Sequence, residues 1–125
     1  MAPPGVSPGP WFPLPGAADL GETVLAQAGY ILVNRDAGAI QPGSRNYDRS
    51  WIRDGSLTSS ALLRMGRASV VRDFIEWYAP FQYGNGKIPC CASERGPDPV
   101  TENDSHGEFI WPGRRVLIAT RVTGR

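Results

Sequence analysis

Three stretches of this 125-residue chain carry side chains whose types and spacing suit chemistry on hydroxylated ligands. They are Tyr47-Asp48-Arg49-Ser50-Trp51-Ile52-Arg53-Asp54, then Asn85-Gly86-Lys87, then Glu102-Asn103-Asp104-Ser105-His106-Gly107-Glu108. In the first, a carboxylate such as Asp54 accepts two hydroxyl hydrogen bonds from one ring. A guanidinium such as Arg53 fixes that carboxylate or donates directly, and the Trp51 indole lies against an apolar ring face. Asp54 also has a purely structural use, as a first-turn helix anion paired with Arg49 or Arg53. In the third stretch Glu102, Asp104 and Glu108 offer carboxylates for acid and base work, and cleaving a glycosidic bond takes two of them. Equally, Glu108 closes a capping box with Ser105 while Asp104 caps the same helix, which explains both without catalysis.

His106 is the chain's one histidine. The pattern Asp104-x-His106-x-Glu108 reads as a metal motif only superficially, because residues two apart on a helix point in different directions. No CxxC accompanies it, so no metal is expected and His106 reads as a hydrogen-bonding side chain in a pocket. Lys87 either pairs with a carboxylate across the site or is simply solvated. Cys90 and Cys91 are adjacent, and a disulfide between neighbours is strained, so the expectation is a reduced pair in a buried turn.

The elements that must hold these groups are read as helical. Leu20, Val24, Ala28 and Ile31 make one face of a first helix from Ala17 to about Val33, with Asp19 and Glu22 in its first turn. Residues 35–50 read as a functional loop. A second helix runs from Trp51 or Asp54 to Met65, with Trp51, Thr58, Leu62 and Met65 on its face and Gly66 as its left-handed cap. A third, capped by Ser69, presents Val70, Phe74, Trp77 and Phe81 until Pro80 ends or kinks it. The second and third form an αα-hairpin. Gly84 to Lys87 is a turn, Ile88 to Ala92 a short extended segment. A fourth helix starts at Ser105 and is expected to fail at Pro112-Gly113, since proline inside a helix costs about 3 kcal/mol. Val116 to Ala119 is then a strand candidate without a partner.

Composition narrows the classes. With 13 Lys and Arg against 12 Asp and Glu, the net charge is +1, which argues against a nucleic-acid partner. No apolar run approaches the length of a membrane span, and the start, with no Lys or Arg before Gly16, is not a signal peptide as written. The compartment is left open, cytoplasmic only as written, and no membrane partner is expected. Residues 1–16 hold six Pro and three Gly and read as a disordered, polyproline-like arm. Residues 111–125 hold four Arg and no acid, leaving nine basic and twelve acidic residues before them.

The stretch from Gly38 to Ser56, with Trp51-Ile52-Arg53-Asp54 at its centre, Gly86-Lys87-Ile88-Pro89-Cys90-Cys91, and Glu102 to Ile110 together resemble the six-hairpin glycosidase superfamily, the glucoamylase-like glycoside hydrolases. The resemblance covers residues 17–111. It implies an all-α fold of αα-hairpins, forming an incomplete part of an (α/α)6 toroid, and hydrolysis of O-glycosidic bonds in a carbohydrate substrate. It gives Arg53 and Asp54 the role of binding the sugar at the cleavage subsite, with Trp51, Lys87, Asp104 and His106 as further substrate-binding candidates. The general acid of glucoamylase-like enzymes lies on a later hairpin, so the resemblance does not itself assign Glu102 or Glu108, which stand as catalytic candidates on their residue types. No cofactor is implied.

A full barrel of that kind needs on the order of 200 residues. The expectation is therefore an N-terminal fragment lacking the remaining barrel helices, inactive alone, with residues 112–125 an aberrant basic tail from an altered frame or premature end. Two other classes fit the same residues: a small non-catalytic helical interaction protein, and a sugar phosphorylase or isomerase on a related fold.

Overall fold

A computed structural model describes residue 16, residues 18–100 and residues 102–123. The proline-rich arm expected over residues 1–16 lies almost wholly outside the described residues, as does the end of the basic tail. Four helices are present: α1 (Ala18–Val33), α2 (Ile52–Arg64), α3 (Ala68–Tyr78) and α4 (Ser105–Thr123). Between them run five short strands: β1 (Arg35–Asp36), β2 (Ala39–Ile40), β3 (Ser50–Trp51), β4 (Cys91–Ser93) and β5 (Gly96–Pro97).

The all-α expectation is thus overturned. β1 and β2 form an antiparallel hairpin, and β3, β4 and β5 form an antiparallel three-stranded sheet in that order. The chain is a mixture of helices and two small sheets. Residues 35–50, read as loop, contain the β1–β2 hairpin and a 3-10 turn at Arg45–Tyr47. Strands of two residues show no alternation to read. Their existence rests on partners far away: Trp51 registers with Cys91 and Ser50 with Ala92.

Each helix is held for identifiable reasons. α2 buries Ile52, Gly55, Ser56, Ser59 and Leu62, a stripe of mostly small residues. It shares Leu62 with the face expected, but takes Gly55, Ser56 and Ser59 in place of Trp51, Thr58 and Met65, which are half-buried, and leaves Leu57 exposed. Gly55 explains the choice: an added Cβ there would stand 2.2 Å from Cζ of Phe74, which is fully buried on α3. Gly66 adopts φ +73°, and the Arg67 N–H reaches back 2.8 Å to the Leu62 carbonyl, closing α2 as expected. α3 begins after Arg67 rather than after a Ser69 cap, and turns into a 3-10 segment at Ala79–Phe81. Along α1, Ala28 is buried and Ile31 packs partly on the core, while Leu20 is exposed.

α4 does not stop at Pro112 but runs on to Thr123, so Val116 to Ala119 are helical. Pro112 and Val116 are both buried. Packing of α4 on α2 and α3 outweighs the hydrogen bond that the proline withholds. The core is one cluster: Ile40, Ile52, Leu62, Val71, Phe74, Tyr78, Ile88, Ala92 and Val116. It draws on both sheets and on α2, α3 and α4. Among the described residues, no helix is long and apolar enough to cross a membrane.

Candidate functional site

Arg53 sits in the first turn of α2, directly after β3. That entrance is pinned from both sides: Trp51 registers with Cys91, and the Ile52 N–H donates to the Cys90 carbonyl at 3.0 Å. The segment leading into α4 approaches the same place. Arg53 donates Nε and Nη2 to one oxygen of Asp104 at 3.1 and 2.7 Å, and Nη2 to Glu102 at 3.0 Å. Its Nε also lies 3.4 Å from Oε1 of Glu108. One half-exposed guanidinium therefore collects all three carboxylates of the third sequence stretch.

The three are not equivalent. Asp104 is held below the ordinary carboxylate range, first by its hydrogen bond from Arg53. Glu108 is pushed up, first by burial and then by the charge of Asp104, against the pull of Arg53. Its Oε2 is buried without a hydrogen-bond partner among the described residues. Environments that drive two neighbouring carboxyls apart are the arrangement that separates an acid from a base.

The capping box expected at Ser105 is not what Glu108 makes. The Asp104 carbonyl accepts the first helical hydrogen bond, from the Glu108 N–H at 3.1 Å, so Asp104 is the cap residue and the Glu108 side chain turns to Arg53. The Ser105 hydroxyl is buried and unpartnered among the described residues. A groove of about 310 Å³ runs beside Glu108 between α2 and α4, lined by Ser56, Leu57, Ser60, Gly107 and Trp111.

Asp54 is also in the first turn of α2, half-buried, but pairs with neither Arg49 nor Arg53: Arg53 is taken by the three carboxylates and Arg49 by Asp98. The backbone carbonyl of Asp54 accepts from the Thr58 hydroxyl at 2.7 Å. Trp51 is half-buried on β3, its ring 6.3 Å from that of Tyr47 and tilted by 54°. His106 lies in the first turn of α4, half-buried. Lys87 is exposed in a turn closed by the Tyr83 N–H on the Lys87 carbonyl at 2.9 Å, and its ammonium makes no ion pair among the described residues. The structure does not bring Lys87 to the carboxylates. Among the described residues no group of three or more His, Cys, Asp or Glu is placed to hold a metal ion.

Sequence reasoning passed over a second ion pair, Arg49 with Asp98. Asp98 is held low by the Val100 N–H and by Arg49, and its carbonyl accepts from the Tyr83 hydroxyl at 2.9 Å. Nothing local signals this pairing, since the partners lie 49 residues apart. Cys90 and Cys91 are free, buried thiols with sulfurs 3.4 Å apart, and burial pushes Cys90 up to about 12. Arg49 Nη1 lies 3.9 Å from the Cys91 sulfur. Compared with protein-family models, with curated proteins and with solved structures, the chain shows no match to any of them.

Proposed function

We propose that the chain belongs to a carbohydrate-acting hydrolase, as its resemblance to the six-hairpin glycosidases implies, and that the Arg53 cluster is where an O-glycosidic bond is cleaved. The observation that supports this is a single arginine holding Asp104 ionised beside a Glu108 pushed toward its protonated form. Hydrolysis of a glycoside asks for that asymmetry. In this reading Glu108 delivers its proton to the leaving oxygen as the C–O bond breaks. Glu102, tied to Arg53 by one hydrogen bond, is the carboxylate that activates water or attacks. Burial, and after it the charge of Asp104, bias Glu108 toward its protonated form. Asp54, with no ion-pair partner among the described residues, accepts hydroxyls, and Trp51 offers a ring face.

Titration of the isotopically labelled chain with neutral oligosaccharides tests the reading. Resonances of Arg53, Asp54 and the α4 N-terminus should shift on binding, and Asp54→Asn should weaken it about ten-fold, the loss of one good hydrogen bond. Absence of shifts at these residues across a panel of glucans, xylans and mannans rejects it.

One observation favours a second reading, a non-catalytic interaction protein. Ile110, Trp111 and Ile118 of α4 and Leu57 of α2 are exposed apolar side chains. In that case size-exclusion chromatography shows a stable oligomer with a cooperative melt, and saccharides leave the Arg53 cluster unmoved.

A further inference from the structure

A second concave site lies near the β1–β2 hairpin. It is a cleft of about 360 Å³, lined among others by Asp36, Gln41, Asp48, Trp77, Glu94 and Arg95. The volume falls within the range of small-molecule sites. Its construction is specific. Gly38 lets the hairpin close onto α3, since an added Cβ would stand 2.5 Å from Cβ of Trp77. Trp77 is held edge-on against Phe81, with ring centroids 4.9 Å apart. The Gln41 amide donates to the Asp48 carbonyl at 2.8 Å, which ties the loop forming one wall. Ala39 and Ala92 are buried small residues in the lining.

Four charged side chains of this cleft are unpaired among the described residues. The carboxylates of Asp36, Asp48 and Glu94 and the guanidinium of Arg95 make no ion pair among the described residues. Arg49 also lines the cleft, but its charge is matched by Asp98. The uncompensated balance is three acids against one base. An indole with surrounding carboxylates stacks a sugar ring and accepts its hydroxyls, while that charge balance repels an anion.

We propose that this cleft is a second saccharide-binding site, separate from the Arg53 cluster, that takes neutral pyranose units and rejects acidic sugars. It deepens the carbohydrate reading by naming the substrate class as neutral glycans. The choice of a saccharide rests on that reading, and the choice of a neutral one on the charge balance of the cleft.

The experiment is an NMR and calorimetric titration of the full chain with maltotetraose and cellotetraose, and with trigalacturonate as the anionic control. A neutral tetrasaccharide should shift the Trp77 indole N–H, and trigalacturonate should bind at least about ten-fold more weakly. The exposed, unpaired positions allow Asp48→Asn with Glu94→Gln, which should weaken neutral binding about ten-fold, while Asp54→Asn should not move the Trp77 signal. Trp77→Phe, a milder change in the ring stack, should weaken binding in a chain whose melt stays cooperative. Equal binding of trigalacturonate, indifference to the double variant, or no shift at Trp77 overturns the proposal. Shifts at Arg53 without shifts at Trp77 reject this cleft and leave the hydrolase reading standing; the converse rejects the hydrolase site alone.

Discussion

Asp104 and Glu108 share one helical turn and one arginine, yet their proton affinities are driven in opposite directions. Asp104 receives two hydrogen bonds from Arg53, and Glu108 only a 3.4 Å contact plus the burial that disfavours its charge. The first consequence concerns pH. Glu108 is raised above its ordinary 4.5, so its contribution to stability is full below 4.5 and lost as pH rises through its folded value. Glu108→Gln should therefore raise stability at pH 7 relative to the parent chain, and the gap should close as pH falls toward 4.5. Asp98 and Asp104 act with the opposite sign: lowered from 3.8, they stabilise above that value and lose the contribution as pH falls below it. Urea unfolding at a series of pH values, for parent and variant, reads both signs. A variant no more stable at pH 7 contradicts the assignment.

Arg53→Met should move both carboxyls upward: Asp104 loses its strongest hydrogen bonds, and Glu108 loses the one positive charge opposing burial. Carboxyl carbon NMR across pH 2–8 follows each titration. The fold should survive, since Arg53 is half-exposed and pairs of that kind add little. Titrations unchanged from the parent contradict the contacts described.

Gly55→Ala sets helix propensity against packing. Propensity alone favours Ala by about 1 kcal/mol. The new Cβ would stand 2.2 Å from the buried Phe74 ring, which has no solvent to retreat into. Overpacking of this kind costs about 1–3 kcal/mol, so the urea midpoint should fall at constant slope. A higher midpoint would show that the ring has room.

Pro112→Ala should stabilise. Alanine restores the donor facing the Glu108 carbonyl and removes a penalty of about 3 kcal/mol, while losing part of a buried ring worth about 1–2 kcal/mol. The net gain of about 1–2 kcal/mol raises the thermal midpoint by several degrees. Loss of stability would mean that the buried ring fills space alanine leaves empty.

The helices were largely legible because their signals are local. The i, i+4 apolar spacing marks α1, α2 and α3, Gly66 marks the end of α2, and the extended segment Ile88 to Ala92 overlaps β4 at Cys91 and Ala92. What escaped is what depends on distance. β3 is two residues long and exists because Cys91 and Ala92 lie alongside it. The buried stripe of α2 runs from Ile52 to Leu62 through Gly55, Ser56 and Ser59, small residues of which Gly55 makes room for Phe74 of another helix. Pro112 reads as a stop because propensity is local, whereas its burial against neighbouring helices is not. The site was legible as types and not as pairs: Glu102, Asp104, Glu108 and Arg53 were each picked out, but that one arginine gathers all three acids is a fact of docking. Lys87 and Asp54 show the converse, chemically apt side chains that the fold leaves outside the ion pairs.

The contacts of Arg53 with Glu102 and Asp104 span 49 and 51 residues of chain. Closing loops of that length comes after the local helices have formed, because its entropy must be met before the contacts reward it. The cluster cannot assemble until α4 lies against α2. The proton on Glu108 is therefore a gauge of docking. In a chain whose helices have formed but whose α4 swings free, that carboxyl loses the burial that raises it most, so its upward displacement reports the docking of α4 at the atom where the proposed chemistry begins.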